Sequence, residues 1–77
     1  CANILPGMVS VYRWEGALEH GEEVVLLLKT TEARVADLLK AIEAAHDYDT
    51  PCAIVLSVEQ GLPDFINWVA EETEPQS

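Results

Sequence analysis

A chain of 77 residues has room for one domain, taken as residues 1–77, and with 49% apolar side chains it is far too apolar to be disordered. A domain that short buries only ~60% of the surface its unfolded chain exposes, and two cysteines cannot build a disulfide framework, so the apolar surplus points to oligomerisation. Fourteen acidic against 4 basic side chains, a formal charge of −10, exclude nucleic-acid binding, which needs basic surface; an acidic surface attracts cations and equally keeps a protein in solution.

The first residue is Cys1, not methionine, so a segment ahead of it is expected to have been removed or left out. Ala2 to Leu5 are short and apolar and end at Pro6-Gly7, a pair that signals a turn or a bulge within a strand. From Met8 the sequence alternates. Ser10, Tyr12, Trp14, Gly16 and Leu18 fall on one side and Val9, Val11, Arg13, Glu15 and Ala17 on the other, which predicts a strand. Glu19-His20-Gly21-Glu22 is polar and holds a glycine, so the hairpin turn is expected there. Val24 to Leu28 is an unbroken apolar run and reads as a central strand, buried on both faces.

Thr30-Thr31-Glu32 opens a helix, with a threonine to cap free N–H groups and Glu32 at the positive end of the dipole. Val35, Leu38, Leu39 and Ile42 form one apolar stripe, and the helix is expected to end near His46, ahead of Pro51. Ala53 to Val58 is a second β-branched, apolar run and predicts a strand, which Gly61 ends. Pro63 suits the first turn of a closing helix, with Leu62, Phe65 and Val69 on one side; the acidic tail from Glu71 is expected to fray. No apolar run approaches the ~18 residues of a membrane span and no secretory leader is present, which sets the expectation of a cytoplasmic protein with no membrane partner.

Strand, strand, helix, strand, helix predicts an α+β sandwich with its helices on one face of an antiparallel sheet. The ferredoxin-like pattern is βαββαβ. This chain supplies ββαβ plus a C-terminal helix, and the missing strand and helix fall ahead of Cys1.

Four segments carry a family resemblance. Cys1-Ala-Asn-Ile-Leu-Pro-Gly7 is like a Cys-x-Asn-Ile motif with a following Pro-Gly, and Ser10-Val-Tyr-Arg-Trp-Glu-Gly16 is like Ser-x-Tyr-x-Trp-Glu-Gly. Glu23-Val-Val-Leu-Leu-Leu-Lys-Thr-Thr31 is like a Glu-x-x-x-x-x-Lys-Thr-Thr motif, and His46-Asp-Tyr-Asp-Thr-Pro51 is like His-Pro-Tyr-x-x-Pro. Phe65-Ile-Asn-Trp68 adds an aromatic-x-x-Trp. In order and spacing these resemble the CutA family over nearly the whole chain. The resemblance implies a ferredoxin-like subunit, a homotrimer with strands extending across subunits, and a role in divalent-cation tolerance, with copper binding in some members. It also implies an architecture similar to PII signalling proteins, which bind small ligands between subunits. The sequence departs from the pattern at Asp47 (usually Pro), at Cys52 (usually Glu) and in the missing first strand and helix.

By the resemblance and by their chemistry, Cys1 and His46 are the first candidates to hold a metal, because thiolate and imidazole suit copper or zinc. Asp47, Asp49 and Cys52 lie close to His46 in sequence and complete a candidate set. The same residues also have plain structural readings: a histidine at a helix end caps carbonyls or pairs with an acid, and a cysteine in a strand is a small apolar residue. Tyr12, Trp14 and Glu15, with Lys29 and Trp68, form a second candidate set, either lining a ligand pocket between subunits or anchoring the interface itself. No catalytic motif stands out, so a non-enzymatic protein is expected. A PII-like regulatory module binding a small ligand or a protein is the alternative reading.

Overall fold

The computed structural model describes residues 1–47 and 50–75. The element order is β1 (Ala2–Trp14), β2 (Ala17–Leu28), α1 (Glu32–Ala45) and α2 (Pro63–Glu72). The sheet among these residues is a single antiparallel hairpin, β1 against β2.

The hairpin turns at Glu15-Gly16, not at Glu19 to Glu22. Glu15 and Gly16 both have left-handed backbones, φ 50° and 81°. A two-residue turn with both central residues left-handed matches the right-handed twist of the strands it joins. Glu19, His20, Gly21 and Glu22 instead pair with Tyr12, Val11, Ser10 and Val9 in mid-strand. The glycine that suggested a turn at position 21 lies beside the Tyr12 ring; a Cβ there would stand at ordinary contact distance, 3.8 Å from the Tyr12 Oη. A left-handed backbone suits asparagine better than glutamate. Glu15→Asn should therefore stabilise the fold by about 0.5–1 kcal/mol, read as a rise in the midpoint of thermal unfolding.

Pro6-Gly7 is a bulge. Leu5 pairs with Val25 and Met8 with Glu23, so two residues of β1 oppose Val24 alone. Gly7, at φ 80°, takes the left-handed conformation that glycine adopts without steric cost. Because the side chains of a strand alternate, the extra residue changes parity. It puts Ile4, Val9 and Val11 of β1 on one face with Leu18, Val24 and Leu26 of β2, and Asn3, Leu5, Met8, Tyr12 and Trp14 on the other. Residues 53% to 68% exposed make up that first apolar group, so nothing among the described residues covers it.

Thr31 occupies the N-cap position of α1 with an extended backbone, but its side chain makes no capping bond; the Arg34 N–H bonds the Thr31 carbonyl at 3.0 Å. Val35, Leu38 and Ile42 are half-buried, as their spacing predicts, while Leu39 is exposed. The helix stops at His46, whose N–H bonds the Ile42 carbonyl at 2.9 Å. In α2 Pro63 stands in the first turn as expected, and the helix continues through Glu72 rather than fraying from Glu71. Thr73 explains the difference: its hydroxyl donates to the Val69 carbonyl at 2.8 Å and closes the last turn.

Ala53 to Val58 does not form a strand, and residues 51–62 carry no regular structure. An extended run becomes a strand only by sharing backbone hydrogen bonds with a neighbour, and no described strand pairs with this one. Among the described residues only Val69 is buried. The chain exposes 7041 Å², where a compact monomer of 8.5 kDa exposes about 4,700 Å² by the usual scaling. Its radius of gyration is 15.4 Å, against about 11.5 Å for a compact domain of this length. The surplus is roughly 2,400 Å².

Candidate functional site

The open end of the hairpin gathers the first group of candidate residues. The Lys29 N–H donates to the Cys1 carbonyl at 2.9 Å and extends the ladder one step beyond β2. The Lys29 Nζ donates to Asn3 Oδ1 at 2.7 Å and lies 5.7 Å from the centre of the Phe65 ring. Phe65 stacks on Trp68 one helical turn on, with centroids 6.0 Å apart and planes at 27°. A lysine held between an amide oxygen and an aromatic face fixes the start of β1, the end of β2 and α2 to one another. The Cys1 Sγ lies 3.8 Å from the same Asn3 oxygen. Beside this corner runs an open groove of about 610 Å³, lined in part by Cys1, Lys29, Arg34, Asp37, Glu72 and Glu74. Two of the chain's four basic side chains stand there, Arg34 in a loose, exposed ion pair with Asp37 at 4.0 Å.

The second candidate set divides between the two ends of the hairpin. Lys29 and Trp68 meet through Phe65 at the open end. Tyr12 and Trp14 pair with Glu19 and Ala17 beside the turn that holds Glu15. Ten residues separate Glu19 from Lys29, about 33 Å of strand, so within one chain these groups do not form one pocket. Asn3 and Phe65 organise the corner but were not among the candidates; Asn3 stands in the Cys-x-Asn-Ile segment, and Phe65 on the apolar side of the closing helix and in the aromatic-x-x-Trp segment.

The metal candidates are likewise spread out. Cys1, ahead of β1, is bonded through its carbonyl to Lys29, three residues before α1, and His46 caps the other end of that helix, about 21 Å of helix further on. Cys52 is an exposed free thiol, as is Cys1. Asp49 lies outside the described residues. Among the described residues no three His, Cys, Asp or Glu side chains come together in a way that would hold a metal ion.

A bulged antiparallel hairpin with two helices is the α+β, ferredoxin-like class of subunit. Within that class the sequence matches the CutA1 divalent ion tolerance protein family over residues 1–72, and the chain belongs to that family. It is 36% identical to mouse Protein CutA over 77 residues, covering all of this chain but 44% of the mouse protein; the chain thus spans about half the length of that relative. The crystal structure of CutA from Xylella fastidiosa superposes with a TM-score of 0.92 at 39% identity, over 96% of this chain and 71% of that one. A PII-like protein CutA from Nostoc superposes at 0.89 with 30% identity, over 96% and 72% of the two chains. Among the described residues no helix is long and apolar enough to cross a membrane.

Proposed function

We propose that this chain acts in divalent-cation tolerance as a cytoplasmic homotrimer that binds the cation, copper first among the candidates, and catalyses no reaction. Membership of the divalent ion tolerance family supports the role. The exposed apolar face of the hairpin, with Ile4, Val9, Val11, Leu18, Val24 and Leu26 all on one side, supports the assembly, since a contiguous apolar patch marks an interaction surface. In this reading the donors Cys1 and His46, with Asp47, Asp49 and Cys52, meet between copies, because one chain keeps Cys1 and His46 at opposite ends of α1.

The test has two parts. Light scattering should give three times the mass of one chain. Calorimetric titration with copper should then show binding that the Cys1→Ser, His46→Ala double variant weakens at least tenfold. Unchanged affinity in the double variant would remove those two side chains from the site.

The fold likeness to the Nostoc PII-like protein supports a second reading, a small ligand or a partner protein held between subunits near Tyr12 and Trp14, with Lys29 of another copy within reach. In a Trp68→Phe background the fluorescence of Trp14 reports on that surface. A panel of anionic metabolites that leaves it unmoved would count against this reading.

A further inference from the structure

We draw no further inference here: the strongest candidate, the exposed sheet face beside the hairpin turn that carries Tyr12, Trp14 and Glu19, carries nothing beyond the second reading above, because nothing in the structure shows what covers it.

Discussion

Leu26→Asp should break the proposed homotrimer into single chains at micromolar concentration. Leu26 pairs with Ile4 at the centre of the uncovered apolar face, with Val24 and Leu28 on either side of it along β2. The nearest cation, Lys29, belongs to the other face and is engaged with Asn3. A carboxylate at position 26 would therefore be taken out of water without a partner, at a cost of about 3–5 kcal/mol per chain, or roughly a hundredfold to a thousandfold or more in affinity. The hairpin itself should survive, because the side chain already stands in solvent in the single chain. Circular dichroism would confirm the retained fold, and light scattering would read the mass. A trimer of unchanged stability would remove this face from the interface.

Deleting Leu5 attacks the same face through the backbone. The Glu15-Gly16 turn and the Pro6-Gly7 bulge hold residues 6–14 in register, so the stretch ahead of the bulge slips by one residue and turns over. Asn3 moves opposite Leu26, and Ile4 moves away from it to Val25. The Lys29 to Asn3 bond is lost, and an amide is placed on an apolar surface. The lost bond costs about 1 kcal/mol and the unpaired amide about 1–3, for a total near 2–4 kcal/mol per chain. Deleting Gly7 is the control. It removes the bulge, leaves Pro6 alone opposite Val24 and keeps Leu5 with Val25 and Ile4 with Leu26. Light scattering should thus show the oligomeric mass lost on deleting Leu5 and kept on deleting Gly7, and unfolding by denaturant should place the Leu5 deletion below the natural chain. Loss of the oligomer in both deletions would mean that the bulge itself, not the face it sets, holds the assembly.

The two glycine signals in the hairpin show where local reading works. At Pro6-Gly7 a bulge was legible, because proline and a left-handed glycine have few other uses inside a strand. At residues 15–22 the choice between two turns depended on pairing. Gly16 and Gly21 offer comparable local chemistry, but only a turn at Glu15-Gly16 lets Trp14 meet Ala17 and Leu5 meet Val25 on either side of one bulge. The helices were legible from their apolar stripes and from Pro63. The far end of α2 was not, because the bond from the Thr73 hydroxyl to the Val69 carbonyl competes with the acidic, helix-breaking look of the tail. The family was legible from four segments in register.

By itself the sequence determined the α+β class, both helices, the bulge and the apolar surplus, since each follows from neighbours a few residues apart or from composition. Only the tertiary structure decided which face of the hairpin is apolar, that Lys29 joins Asn3 and Phe65, that Tyr12 and Trp14 lie far from Lys29, and that Ala53 to Val58 has no described strand beside it. Those outcomes depend on register and on the meeting of distant segments. A side-chain pattern repeats every two residues in a strand and every three or four in a helix, and it carries no record of which strand lies opposite.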